Sequence, residues 1–383
     1  MEPKYCAAPW RGLHINFRGD VKTCCAGDPN MLGDLNTHSI DQIIYSDRLR
    51  AVRETISQGR LHPEYCANCI KAERYGRSER HWHNDVNQDF DPATASPDHF
   101  DPTIIDVRWN NTCNLSCNYC HEYCSTKWLS IKKGIAVKNA VRPYYEQVCD
   151  FLLNHASDIR EVAMVGGEPL LLPENERVLD VIPDDCIVTL ITNMNVDFEK
   201  NKIFQRLRER TRVGWSMSFD NIGERFEYVR HGGTWAMLND NIDRVKDLMA
   251  TQGHWGGIHA VYNVYNCTRL VEFREWARER GLTIIWQTLY QPECLDPLQH
   301  GSVLRGLARS EAQRLLDQCG GYMESSEISF FEHAVRNLEQ EPGQAARHHE
   351  LLREHVDRIE NQYHRDSAGG FRRLWPELAF MVD

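Results

Sequence analysis

Between residues 103 and 300, short apolar runs alternate with stretches of helical periodicity. No other feature restricts the fold of this 383-residue chain so tightly, because strands that take turns with helices build a parallel α/β sheet or barrel. Strands are expected over Ile104–Trp109, Glu161–Val165, Cys186–Thr192, Val213–Phe219, Gly256–Val264 and Thr283–Thr288. Helices fall between them, as over Tyr144–His155, Phe198–Arg210, Trp235–Ala250 and Leu270–Arg280. In such folds reactive groups gather at the carboxyl ends of the strands. Each polar motif of this stretch lies at one of those ends.

The first motif follows the first strand and reads Cys113-Asn114-Leu115-Ser116-Cys117-Asn118-Tyr119-Cys120. Three cysteinates on one tight loop can each bind one iron of a [4Fe–4S] cube, whose usual complement is four thiolates. The fourth iron then stays open to a non-protein ligand, as the open position of a catalytic zinc does. A zinc site that takes Cys124 as its fourth thiolate is the alternative for this stretch alone. The chain has 14 cysteines, nine of them within the first 124 residues. In a reducing compartment they read as metal ligands before disulfides. The scattered Cys149, Cys186, Cys267, Cys294 and Cys319 read mostly as apolar fillers. The start, Met1-Glu2-Pro3-Lys4-Tyr5-Cys6, lacks the basic and then apolar pattern of an export signal. No run approaches the roughly 18 apolar residues of a membrane span, so the expected location is the cytoplasm. A net charge of −11 argues against general nucleic-acid binding, which needs a basic footprint.

Residues 1–83 form a second cysteine-rich unit. Alternating apolar residues on either side of the Gly19-Asp20 turn predict a β-hairpin that brings Cys6 and Cys24 towards one end. A helical stretch is expected from Ser39 to Gln58, with Ile40, Ile43, Ile44, Leu49, Val52 and Ile56 at helical spacing. Then comes the pair Cys66-Ala67-Asn68-Cys69. Cys6, Cys24, Cys66 and Cys69 make a full four-thiolate set for one cluster or one zinc ion, and spacing alone does not choose between them. Cys25 is the alternative to Cys24, because neighbours on a strand point to opposite faces. Residues 84–102 hold three prolines and many Asp and Asn, which reads as a linker. Residues 301–383 read as a helical extension, with amphipathic helices over Val303–Gln318, Ser329–Leu338 and Ala345–Tyr363.

The three-cysteine run, with the aromatic Tyr119 before its last member, resembles the signature of the radical S-adenosylmethionine (SAM) enzymes. That resemblance implies an open, partial (β/α)6 TIM-like barrel over residues 103–300. It also implies a [4Fe–4S] cluster whose open iron is chelated by SAM, and reductive cleavage to a 5′-deoxyadenosyl radical. Gly166-Gly167-Glu168-Pro169, after the second strand, resembles the family's GGEP motif, which holds the amino group of SAM. By the same resemblance Thr192 and Asn193 lie near the SAM ribose, and Ser218 and Asp220 belong to a Ser-x-Asp stretch at the cofactor. Arg230 matches an arginine that pairs with the SAM carboxylate, a role its planar fork suits. The spacing Cys6-x12-Gly19-x4-Cys24 resembles the opening of the SPASM and twitch modules, which carry auxiliary [4Fe–4S] clusters. No cysteine follows Cys69 over Lys71–Arg77, so a single auxiliary cluster is expected. The departure is position: the module usually follows the barrel, and here it precedes it.

What the resemblance implies for chemistry is hydrogen abstraction from an unactivated C–H of a peptide or amino-acid-like substrate. The auxiliary cluster would assist oxidation, cross-linking or epimerisation, and a low-potential donor of the flavodoxin or ferredoxin type would supply electrons. A small-molecule substrate, an amino-sugar or nucleoside, is the alternative within the family. A zinc-stapled binding protein is the alternative outside it. Gln287, Tyr290 and Cys294, beyond the sixth strand, face the expected substrate mouth and are the candidate catalytic contacts.

Overall fold

The computed structural model describes residues 4–28, 30, 32–73, 78–136, 142–289, 291–340, 344–363 and 370–383. In chain order the strands are β1 (Gly12–Ile15), β2 (Asp20–Lys22), β3 (Gly33–Asp34), β4 (Ile104–Val107), β5 (Ser116–Cys117), β6 (Glu161–Met164), β7 (Ile187–Thr192), β8 (Val213–Ser218), β9 (Arg230–His231), β10 (Trp255–Tyr262) and β11 (Ile284–Thr288). Nine of them form one sheet in the order β11-β10-β8-β7-β6-β4-β1-β2-β3. From β4 to β11 the pairing is parallel throughout, as expected of an open βα barrel. The six barrel strands fall where the apolar runs placed them.

The sheet does not stop at β4. Strand β1 pairs with β4 in parallel, Gly12 against Ile104 through Ile15 against Val107. β2 then turns back antiparallel on β1, and β3 on β2. The amino-terminal hairpin therefore extends the barrel sheet along its first strand, so the two units share one backbone ladder. Hairpin signals are local, whereas the parallel partner of β1 lies some ninety residues downstream, so nothing local in the sequence announces it.

The pairing register separates the sheet into two faces. On one side lie Ile105, Val107, Val162, Met164, Val188, Leu190, Trp215, Met217, Ile258 and Ala260, all buried. Helices cover this face. Trp235–Gln252, for example, starts on Thr234, whose hydroxyl accepts from Met237 N, and stops at Gly253 with φ +73°. It buries Leu238, Ile242, Val245 and Leu248, a stripe at helical spacing. The other side presents small and polar residues, Asp106, Ala163, Thr189, Ser216, Ser218, Gly257, His259 and Gln287, partly exposed or exposed. One face is thus core, and the other, the concave face, is small, polar and partly exposed.

Two expectations need correction. The stretch from Ser39 to Gln58 is two helices, Ile40–Ile44 and Asp47–Ser57, because Ser46 caps the second by accepting from Leu49 N. The helix expected over Phe198–Arg210 is confined to Lys202–Leu207, where Asn201 accepts from Phe204 N. Beyond the barrel, helices Ser302–Cys319, Ser325–Asn337 and Ala345–Tyr363 pack against its last strands and loops. Among the described residues no helix is long and apolar enough to cross a membrane.

Candidate active site

The three-cysteine loop leaves β4 and is fastened at several points. Thr126 Oγ1 accepts from Cys113 N at 3.2 Å, and Ser125 Oγ donates to Leu115 O at 2.9 Å. Ser116 and Cys117 form β5, antiparallel to β9, with Cys117 opposite Arg230. Asn118 N donates to Val229 O, and its side chain donates to Tyr228 O. A turn in which Cys120 N donates to Cys117 O brings the third thiol round. Asn193 Nδ2, at the end of β7, lies 2.9 Å from Asn114 Oδ1 and 3.8 Å from Cys113 Sγ.

Burial raises the thiols here. Cys113 is pushed up to about 12 by burial and by neighbouring Cys117, and Cys117 is raised by burial in spite of Arg230. Cys120 is raised chiefly because it hydrogen-bonds Cys124, which is lowered in turn. Buried thiols facing one another stay protonated unless a metal displaces the protons. Arg230 supplies the compensating charge: its side chain is 7% exposed, Nη1 lies 4.0 Å from Cys117 Sγ, and Nη2 donates to Asp220 Oδ2 at 3.1 Å. Its Nε is buried without a hydrogen-bond partner among the described residues. Tyr119 donates to the same Asp220 oxygen, while Asp220 Oδ1 accepts from Val261 N. Asp220 therefore ties the cysteine loop to β8, β9 and β10.

The Gly166–Pro169 segment packs directly against this loop. A Cβ on Gly167 would stand 2.2 Å from Thr112 O, and Gly166 has φ +147°. These glycines admit the backbone before Cys113, a close approach within the protein. Glu168 is fully buried and both its oxygens are engaged: Oε1 accepts from Thr192 Oγ1, at the end of β7, and from Leu170 N, and Oε2 accepts from Asn193 N at 2.7 Å. Burial raises it to about 7 against those donors. The carbonyls of Gly166 and Gly167, in partly exposed residues, accept no hydrogen bond from the described residues. They remain available to an ammonium group.

Of the candidate substrate contacts, Gln287 is exposed on the concave face, hydrogen-bonded to His259. Cys294 is 7% exposed, near Tyr265 and Arg358, and burial raises it to about 11. Tyr290 lies outside the described residues. Ser218 sits beside His259 in the register, on the open face. Sequence reasoning missed a second polar group there. His14 Nδ1 lies 2.8 Å from Asp106 Oδ2, and Arg108 grips the same carboxylate with two bonds. Only the β1–β4 register reveals it.

The second site lies in the amino-terminal unit. Cys6, Cys24, Cys66 and Cys69 line one small pocket, with Tyr65 and Arg80 in its wall. Burial raises Cys6 and Cys24, with other thiols of the set adding to it, and holds Cys66 at about 11. Cys25 is exposed and does not line the cavity. Among the described residues no three His, Cys, Asp or Glu side chains converge closely enough to hold a single ion. Four cysteines around one pocket are a donor set that fits an iron–sulfur cluster. At the three-cysteine loop the donor set is three thiols on one turn, with the Arg230 guanidinium 4.0 Å from Cys117 Sγ.

Two stretches of the chain match known families. Residues 6–70 match the SPASM iron–sulfur cluster-binding domain, and residues 107–267 match the radical SAM superfamily. No curated protein matches the chain. Among solved structures, native anSMEcpe with bound AdoMet is 18% identical over 56% of this chain and 61% of its own, with a TM-score of 0.38. SuiB of Streptococcus suis bound to its precursor peptide SuiA is 12% identical over 72% of this chain and 63% of its own, with a TM-score of 0.40. The chain thus spans less than two thirds of these relatives' lengths. A radical SAM domain implies a [4Fe–4S] cluster and SAM, and a SPASM domain implies auxiliary iron–sulfur binding. Residues 107–267 thus form a radical SAM superfamily domain, with a SPASM-type iron–sulfur module ahead of it over residues 6–70.

Proposed function

We propose that the protein removes a hydrogen atom from an unactivated C–H of a peptide or amino-acid side chain, and that an auxiliary cluster held in its first module would assist oxidation, cross-linking or epimerisation. The observation that supports this reading is the fastened loop carrying Cys113, Cys117 and Cys120, with Arg230 Nη1 4.0 Å from Cys117 Sγ. When bound, the reduced cluster and SAM supply a 5′-deoxyadenosyl radical. Cys113, Cys117 and Cys120 would hold that cluster, with three thiolates where the usual complement is four. The carbonyls of Gly166 and Gly167 accept from the SAM ammonium group, and Glu168 holds Thr192 and Asn193 in register beneath it. Arg230, fixed by Asp220, offers its remaining donor to the carboxylate of SAM. Tyr119 braces the loop through the same aspartate, and Ser218 flanks the cofactor on the open face. Cys6, Cys24, Cys66 and Cys69 hold the auxiliary cluster, and a flavodoxin- or ferredoxin-type partner delivers the reducing electron. SuiB, bound to its precursor peptide, illustrates such a substrate for a protein of this kind.

A small polar substrate is the second reading. The concave face favours it, being lined by Asp106 with His14 and Arg108, Glu161 with Thr189, and His259 with Gln287. Peptides and amino-sugars deuterated at carbon, offered to the anaerobic, reduced holoprotein, decide between them. Deuterium appearing in 5′-deoxyadenosine from a peptide supports the first reading. Transfer only from the small molecule supports the second.

A further inference from the structure

The hairpin of β1 and β2 ends at Lys22, two residues before Cys24, and its turn reaches the other cysteine site. The Phe17 ring lies 4.7 Å from the Tyr123 ring, centroid to centroid, and the Arg18 guanidinium lies 4.1 Å from the Tyr123 centroid. Tyr123 stands three residues after Cys120 in a turn closed by Cys124 N and Ser125 N donating to His121 O. Asn111 Nδ2 donates to Tyr123 O at 2.9 Å. The residues that follow, Ser125 and Thr126, fasten Leu115 and Cys113. The hairpin turn is itself stiff. Asn16 Nδ2 donates to Asp20 Oδ2, Gly19 has φ +96°, and a Cβ there would meet the Tyr144 ring at 2.9 Å. At its base Arg108 N donates to Ile15 O at 2.8 Å. A short, rigid path thus runs from Cys24 along β2 to Arg18, across to Tyr123, and back to Cys120 and Cys113.

We propose that Tyr123 is a positioning residue for the SAM-cluster loop, gripped by Phe17 and Arg18, so that the loaded state of the amino-terminal module sets the geometry of the radical site. The inference rests on the two cysteine sets being cluster ligands, as proposed above. Other devices fix the loop from the barrel side, through Asn193, Arg230 and Asn118. Tyr123 is its link to the module, and the contact joins segments more than a hundred residues apart. A cation–π contact at a half-exposed ring is modest, enough to bias a loop whose position decides how the open iron faces its ligand.

The test is low-temperature electron paramagnetic resonance of the reduced holoprotein, titrated with SAM under anaerobic conditions. Arg18 is exposed, so Arg18→Ala leaves the fold intact and removes only the cation. It is expected to raise the SAM concentration needed for half the spectral change by about two- to fivefold. Tyr123→Ala should raise it further and alter the line shape of the cluster held by Cys113, Cys117 and Cys120. Tyr123→Phe, which keeps the ring, should restore the parent signal. The Arg18→Ala, Tyr123→Ala double variant should match Tyr123→Ala, because both act through one contact. Emptying the module with Cys66→Ala and Cys69→Ala should give the same altered line shape. If Arg18→Ala titrates like the parent, the contact carries no coupling and the proposal falls, whatever Tyr123→Ala does. A parent protein that shows no SAM-dependent change would instead remove the reading on which the proposal rests.

Discussion

Glu168 shows how a motif residue can be legible while its work is not. Its place after two glycines at a strand end is plain in the sequence, but its partners Thr192 and Asn193 lie on the next strand, 24 and 25 residues on. Burial raises it to about 7 from an ordinary value of 4.5. A carboxyl raised on folding contributes stability that is full below about 4.5 and is lost as pH climbs through about 7. Glu168→Gln does not titrate. Between pH 5.5 and 7 the stability of the parent relative to this variant should therefore fall, by at most about 1.4 kcal/mol per pH unit. Thermal melts of both proteins across that range check the sign. Gly167 makes a sharper prediction, because its Cβ would stand 2.2 Å from Thr112 O. Gly167→Ala should displace the backbone before Cys113 and cut SAM cleavage by about a hundredfold, measured as 5′-deoxyadenosine formed. Cys294 was placed at the substrate mouth on sequence grounds. Its 7% exposure among Tyr265 and Arg358 sets it apart from Gln287, which stands open on the concave face.

At the scale of elements, the βα alternation was readable because each strand carries its own apolar run and each helix its own stripe. What escaped is set by pairing at a distance. Ser46 interrupts the stretch from Ser39 to Gln58 although the apolar spacing runs through it. The residues after Val86, rich in Pro and Asp, pack closely: Ser96 O accepts from Trp10 Nε1, Pro97 O accepts from Arg53, and Phe100 is 6% exposed. Composition cannot tell a free tether from such a strap. The helical extension is anchored in the same hidden way. Glu327 of helix Ser325–Asn337 accepts from Arg274 at 3.2 Å and from Trp286 Nε1 at 3.0 Å, with side chains 4% and 0% exposed for Arg274 and Glu327. Glu327→Ala strands a buried guanidinium and should cost about 3–5 kcal/mol. The exposed pair Arg244–Glu199 offers the control, and Glu199→Ala should change stability by less than about 1 kcal/mol. Denaturant midpoints of the two variants, side by side, check both.

For the whole molecule, the unforeseen fact is that one sheet carries both metal units. β1 lies on β4, and β4 runs straight into Cys113, so the auxiliary module is built onto the strand that feeds the radical site. A module that precedes the barrel in sequence thereby reaches the cysteine loop from the β4 side of the sheet. If both cysteine sets hold cubes, the reconstituted chain binds about eight irons, and changing Cys66 and Cys69 to Ala should leave about four. Iron and sulfide assays check that count, and a chain saturated at about four irons would leave the first module to zinc.

Radical chemistry in this protein would depend on the open iron of a cluster held by Cys113, Cys117 and Cys120. The deciding measurement is 5′-deoxyadenosine and methionine released from SAM by the anaerobic, reduced protein, beside the Cys113→Ala, Cys117→Ala, Cys120→Ala variant. The parent is predicted to form both products while the variant forms neither and retains about four irons in its first module. A fully loaded parent that leaves SAM intact, or a variant that still cleaves it, would contradict the account.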